Sequence, residues 1–445
     1  MPYVLKAVSS DLIRDVRRQV YSARRKLQGQ PATLDIFLKT DDPYSYLLLQ
    51  ALTCITKRFK VKYKFHVFQE IDDEMFPRLD MWLDYTKYDA YHLAKLYDFR
   101  FPSKSALPNI NKKITKQLSL FLVNLESDEA FISKAITLLD QYWFQGISPV
   151  LDVLDVLDNT SVKDSVKDSQ QKLSENFQLL TTSGHYLGAM INFEGEWYWG
   201  LDRLDHLEKR LIGLGLAYGK KNDKKDSIHF DRTYKTFCKT PSSDIKGDKQ
   251  TPLILYWSAR SPYSYIALQR AILLSEHYKI PLMIKPVLPM MMRGMNVPDA
   301  KKLYIFFDTK REASKLGLPY GWVADPLGAA VERCYSLIAY AKSENKYHDF
   351  LLSFATGVNS QGIRAETDKG METIVTRCGL DWHIAKHKLK DKSWRVWADK
   401  NLDEMYWVGC WGVPTICYGD SYFWGQDRFG IIENHIIEKQ LNKNS

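Results

Sequence analysis

The chain has 445 residues, 45% apolar and 26% charged, with a formal net charge of +9; that length exceeds what one hydrophobic core supports and that composition excludes a disordered chain, so two or three globular domains are expected. No run approaches the roughly 18 consecutive apolar residues of a membrane span, and the first residues carry charges where a secretory leader needs its apolar segment, so a cytoplasmic protein without membrane contact is expected. The positive excess sits wholly in residues 1–30, with seven Lys/Arg against two Asp, and in residues 219–250, with nine against five, which argues for a basic terminal helix and a solvated linker and against a nucleic-acid-binding face.

In chain order, residues 10–28 place Leu12, Ile13, Val16, Val20 and Leu27 near helical spacing and predict an amphipathic helix that packs on the first globular unit. A short β-rich run, Leu34 to Leu38, precedes Asp42-Pro43, where a capping carboxylate followed by proline at the first helical position predicts a helix start. A second strand runs from Val61 to Phe68, then comes a long helical stretch, then a Gly-bounded strand pair, Ala189 to Phe193 and Glu196 to Trp199, leading into a last helix.

The same order then returns. Asp42-Pro43-Tyr44-Ser45-Tyr46, with Leu49 and Gln50, reappears as Ser261-Pro262-Tyr263-Ser264-Tyr265 with Leu268 and Gln269, displaced by 219; Tyr85 and Asp89 recur as Tyr304 and Asp308. Tyr198-Trp199-Gly200-Leu201-Asp202-Arg203 recurs as Phe423-Trp424-Gly425-Gln426-Asp427-Arg428, displaced by 225. The matching strands are Leu253 to Trp257, Leu282 to Val287, Thr415 to Tyr418 and Ser421 to Trp424. Strand, helix, strand, helical insertion, hairpin and helix is the order of a thioredoxin fold, so the expected class is α/β, two tandem thioredoxin-like folds, each with a helical insertion. The expected boundaries are an N-terminal amphipathic helix (1–30), a degenerate first copy (31–218), a basic linker (219–250) and an active second copy (251–440). A linker of about 30 residues spans roughly 30 Å, which lets the copies meet as an intrachain pseudo-dimer.

The six cysteines, Cys54, Cys238, Cys334, Cys378, Cys410 and Cys417, include no C-x-x-C pair, which argues against dithiol or zinc chemistry. His383 and His387 stand at helical spacing without a third ligand and read as surface residues; no metal is expected. Ser261-Pro262-Tyr263-Ser264 keeps the spacing of a redox dithiol at a strand-to-helix turn but replaces both sulfurs with hydroxyls. A hydroxyl there cannot exchange disulfides, but it can donate to a thiolate brought by a ligand. A free thiol has a pKa of about 8.5, and two units of depression, which a helix N-terminus and one charge-assisted hydrogen bond can supply, make it mostly thiolate at neutral pH. Asp42 at the matching turn would repel a sulfur anion.

Gly412-Val413-Pro414-Thr415 stands directly before a strand, where thioredoxin folds hold a cis-proline whose preceding residue pairs its backbone with a peptide-like ligand. The first copy has Ala189 there, and a cis bond without proline costs about 2.5–4 kcal/mol, so a trans bond is expected. Trp424-Gly425-Gln426-Asp427-Arg428 turns into the last helix, where backbone N–H groups can hold a carboxylate and Asp427 an ammonium; Gln426, against Leu201 in the first copy, is the more ligand-specific member.

SPYSY, the N-x-P of Asn296-Val297-Pro298, LGLP at Leu316 to Pro319, GVPT and FWGQDR, in this order over nearly all of residues 251–440, resemble 2-hydroxychromene-2-carboxylate isomerases and the related kappa-class glutathione transferases. The resemblance implies glutathione as cofactor. Ser261 would then hydrogen-bond its thiolate and Asn296 would bind near the thiol. The Val413 backbone beside Pro414 would pair with the cysteinyl unit, and Gln426 and Asp427 would take the γ-glutamyl end. It further implies reversible thiolate addition to a conjugated aromatic keto acid, with bond rotation and loss of the thiol. A kappa-like transferase would leave the thioether as product, and a non-catalytic glutathione- or peptide-binding module stands as the third reading. The first copy departs with Asp42, Pro77 and Ala189 at the serine, asparagine and proline positions.

Overall fold

The computed structural model describes residues 2–108, 112–146, 160–218, 227–232, 237–239 and 250–441. The chain divides into two compact units, residues 18–232 and residues 1–17 with 233–445.

In the unit of residues 18–232, β1 (Thr33–Lys39) pairs in parallel with β2 (Lys62–Phe68), starting at Thr33 opposite Lys62. It pairs antiparallel with β3 (Met190–Phe193), which turns into β4 (Glu196–Trp199), giving the sheet order β2-β1-β3-β4. Leu34 and Ile36 are fully buried, as is Leu47 of the helix Pro43–Ile55. Each such side chain contributes about 1.5–3 kcal/mol on leaving water.

The other unit repeats the arrangement. β5 (Leu253–Trp257) is parallel to β6 (Leu282–Pro286) from Leu253 opposite Leu282 and antiparallel to β7 (Thr415–Tyr418). With β8 (Ser421–Trp424) the order is β6-β5-β7-β8. Between β6 and β7 runs the helical insertion, from Asp299 to Trp407. In both units, side chains of the insertion close the free edge of the sheet, which would otherwise offer unpaired backbone groups. Glu126 accepts from the Val67 N–H at 2.6 Å and Asn176 donates to the Val67 carbonyl at 2.8 Å. On β6, Tyr347 donates to the Ile284 carbonyl at 2.9 Å and Asn401 to the Pro286 carbonyl at 2.8 Å. No helix among the described residues is long and apolar enough to cross a membrane.

Two expectations are modified. The helix Asp11–Leu27 forms as its periodicity predicts, but the apolar stripe does not pack: Leu12 is 74% exposed, Val20 61% and Leu27 88%. The polar face makes the contact, with Arg18 bidentate on Glu196 at 2.6 and 2.8 Å and Arg25 on Glu194 at 2.9 Å. The described parts of the expected linker are not free chain. In one unit the N–H groups of His229 and Phe230 donate to Glu208 at 2.9 and 3.0 Å, and Phe230 stacks on Tyr97. In the other, the Cys238 N–H donates to Glu433, the residue matching Glu208, at 2.7 Å. A buried carboxylate on each last helix needs donors, and the intervening segment supplies them. The remainder of 219–250 lies outside the described residues.

Candidate functional site

β5 ends at Trp257 and the chain turns to Ser261, whose extended backbone (φ −74°, ψ 120°) places it at the N-cap of the helix Pro262–Tyr278. Its Oγ accepts the Ser264 N–H at 3.2 Å and donates to the Val413 carbonyl at 3.4 Å. The turn is braced from below. Ser264, fully buried, accepts the Ser258 N–H at 3.3 Å, and the Trp257 indole donates to the Ser264 carbonyl at 3.1 Å. The Val413–Pro414 bond is cis, and the Pro414 carbonyl accepts the Gly425 N–H at 2.8 Å, which sets the 425–428 turn beside it. Ser261, Val413 and Pro414 are therefore brought together.

The remaining residues singled out in the sequence lie differently. Asn296 is exposed in the loop before the helix Asp299–Lys315. Gln426 is completely buried: its Nε2 donates to Glu312 at 2.9 Å and to Asp427, and its Oε1 accepts from Arg270 at 3.1 Å. Both polar ends of Gln426 are thus engaged inside the protein. Asp427 is 9% exposed and its Oδ1 faces Gln426. His383 and His387 are exposed.

Two arginines that sequence reading passed over stand near the turn. Arg260, directly before Ser261, makes a bidentate pair with Asp325 at 2.8 and 2.8 Å. Arg293, at the end of the 3₁₀ turn Met290–Arg293, donates Nη1 to the Tyr406 hydroxyl at 2.9 Å, while its Nε and Nη2 are buried without a partner among the described residues. Burial pulls its pKa below the usual guanidinium range, though the group stays charged at neutral pH. Neither had a motif to announce it; a cation adjacent to the Ser-Pro turn was the one available signal for Arg260.

The matching turn of the other unit is built on a carboxyl. Asp42 caps the helix Pro43–Ile55, accepting from the Tyr44 N–H at 3.2 Å, the Ser45 N–H at 3.1 Å and the Ser45 hydroxyl at 2.7 Å. Ala189 has φ +55°, and its N–H, which a proline would lack, donates to Ser45 Oγ at 3.0 Å. Among the described residues the cis bond at Pro414 has no counterpart here, as expected for alanine. Burial pushes the Asp42 carboxyl up to about 6, against the opposing hydrogen bonds from Ser45 and Tyr44 and the charge of Lys39.

A carboxyl bound more tightly by its proton in the folded than in the unfolded chain makes folding less favourable as pH rises from about 4 through 6. Asp42→Asn keeps a capping oxygen and removes the charge. The variant should match the parent near pH 4 and be more stable by about 2–3 kcal/mol at pH 7.5, read from paired denaturant titrations. A constant difference across that range would show that Asp42 does not titrate this way.

Residues 253–436 match the family of the DSBA-like thioredoxin domain. No curated protein matches the chain. Among solved structures, a 2-hydroxychromene-2-carboxylate isomerase aligns at 22% identity over 43% of this chain and 97% of its own, TM-score 0.38. A probable DsbA oxidoreductase from Streptomyces coelicolor aligns at 16% over 42% and 89%, TM-score 0.34. A thioredoxin-like oxidoreductase from Silicibacter pomeroyi aligns at 12% over 45% and 97%, TM-score 0.29. Residues 253–436 are a DSBA-like thioredoxin domain, and the sheet order of residues 18–232 repeats it in tandem.

Proposed function

We propose that the DSBA-like domain is a glutathione-dependent isomerase of conjugated aromatic acids, acting in a reducing, cytoplasmic setting that suits cysteines held as thiols. The observation that carries this reading is the Ser261 hydroxyl at a helix N-terminus, 3.4 Å from the Val413 carbonyl. When bound, glutathione would supply the nucleophilic sulfur. The Ser261 O–H turns from Val413 to donate to that sulfur, and the N-terminus of the helix Pro262–Tyr278 adds positive potential. Val413 would offer its backbone to the cysteinyl unit, Asn296, in the loop before the helix Asp299–Lys315, would bind near the thiol, and Asp427 would take the γ-glutamyl ammonium. Gln426 acts one step back, holding Asp427 in place. Arg293, with two buried N–H groups unanswered, suits the carboxylate of the substrate.

The tripeptide fits this turn and not the other. In residues 18–232 the sulfur would meet the Asp42 carboxyl, and Leu201 stands where the second copy has Gln426. Losing two interactions at about 1.4 kcal/mol each weakens binding roughly a hundredfold. Calorimetry should therefore find one glutathione per chain, in the micromolar to low-millimolar range; two equivalent sites would overturn the assignment. Turnover of conjugated aromatic acids, followed with glutathione at saturation, separates the alternatives. Regenerated glutathione supports the isomerase, a stable thioether the transferase, and binding without turnover a non-catalytic module.

A further inference from the structure

The first unit's turn opens on a cleft of about 460 Å³, counting the part continuous with solvent. Its walls are aromatic. Trp82 and Trp199 lie nearly parallel with centroids 6.2 Å apart, Tyr44 meets Trp199 edge-on at 5.3 Å, and Phe76 packs on Trp82 at 5.4 Å. Its charged residues are Lys39, Asp41, Asp42 and Glu70. Lys39 is paired with Asp41, which leaves the carboxyls of Asp42 and Glu70 to set the sign of the cleft. Glu70 accepts from the Ser174 hydroxyl through Oε1, while its Oε2 is buried without a partner among the described residues.

The contrast with the second copy is a reversal of charge. At the displacement of 219, Arg260 falls on Asp41, Ser261 on Asp42 and Arg293 on Glu74. The backbone is shaped for the change as well. Gly188 stands where Val413 stands in the second copy, and a Cβ there would come within 2.6 Å of Asp42 Oδ2, so the carboxyl occupies space that a side chain would take. A cleft of this sign repels a thiolate and a carboxylate. Aromatic faces combined with the excess of carboxylates and the unanswered Glu70 Oε2 instead match the needs of a positively charged nitrogen, which gains from the ring quadrupole and from the anion together.

We infer that the cleft of residues 18–232 is a second binding site, for an organic cation: a protonated or quaternary amine whose charged nitrogen meets Asp42 and Glu70 while its apolar body rests on Trp82 and Trp199. The two copies then serve ligands of opposite charge.

The test uses the full chain and benzyltrimethylammonium chloride as probe, with sodium phenylacetate as the matched anion at constant ionic strength. Calorimetry at pH 7.5 should show saturable binding of one benzyltrimethylammonium per chain, and neither phenylacetate nor saturating glutathione should compete. Asp42→Asn and Glu70→Gln should each weaken binding by about tenfold or more, and Trp82→Leu, which leaves every charge in place, should weaken it too. Should one carboxyl variant fail to fold, the other carries the reading. Absence of saturation, equal binding of phenylacetate, displacement by glutathione, or unchanged affinity in the carboxyl variants would overturn the proposal.

Discussion

Ser261→Ala should lower glutathione-dependent turnover at least about tenfold and raise the pKa of the bound thiol by a unit or more, each unit representing about 1.4 kcal/mol. The hydroxyl has two duties in the structure. It caps the helix through the Ser264 N–H at 3.2 Å, and it faces the Val413 carbonyl at 3.4 Å, where a ligand sulfur would take over its proton. Alanine removes both, so stability also falls by about 0.5–2 kcal/mol through loss of the cap. Ser261→Thr restores a capping hydroxyl and should recover much of the turnover. Ultraviolet titration of the bound thiolate separates the two duties, because a purely capping serine would alter stability and leave the thiol pKa where it was. Asp42→Ala, at the equivalent turn, should leave turnover intact; a comparable loss there would place catalysis in the first copy as well.

The fold was legible because its signals are local. Turn residues and alternation marked the strands: Leu253–Trp257, Glu196–Trp199, Thr415–Tyr418 and Ser421–Trp424 form as expected, and Asp42 and Ser261 cap their helices. The repeat was visible because both copies need the same turn chemistry at the same places. What sequence could not supply were contacts between distant residues. Arg18 meets Glu196 across 178 positions, and that pair turns the polar face of the N-terminal helix inward, against the direction its apolar stripe suggested. Arg293 owes its interest to burial, and Asp42 owes its elevated pKa to burial as well; neither environment exists in a stretch of neighbouring letters. The site was legible to the extent that it is a turn. Ser261, Val413 and Pro414 converge, whereas Gln426 was read as a ligand contact because its partners Arg270 and Glu312 stand 156 and 114 positions away.

That placement makes Gln426→Leu a decisive substitution. Leucine is what the first copy carries at this position, as Leu201, and it is close in volume, so the change removes hydrogen bonds without opening a cavity. In the second copy those bonds serve charged, buried partners. Arg270 is 3% exposed, Glu312 0% and Asp427 9%, and each gives up a bond to the amide. Hydrogen bonds to charged groups contribute about 1.5–3 kcal/mol each, so the loss should reach about 3–5 kcal/mol. Paired denaturant titrations would show it as a lower midpoint with an unchanged slope. If Gln426 instead touched the ligand directly, stability would hold and glutathione affinity alone would fall. Gln426→Glu adds the discriminating arm. It keeps the acceptor toward Arg270 but sets a carboxyl against Glu312 and Asp427, so its penalty should grow as pH rises and the three acids compete for protons. A ligand contact of the γ-glutamyl ammonium would respond in the opposite direction, tightening with the added negative charge.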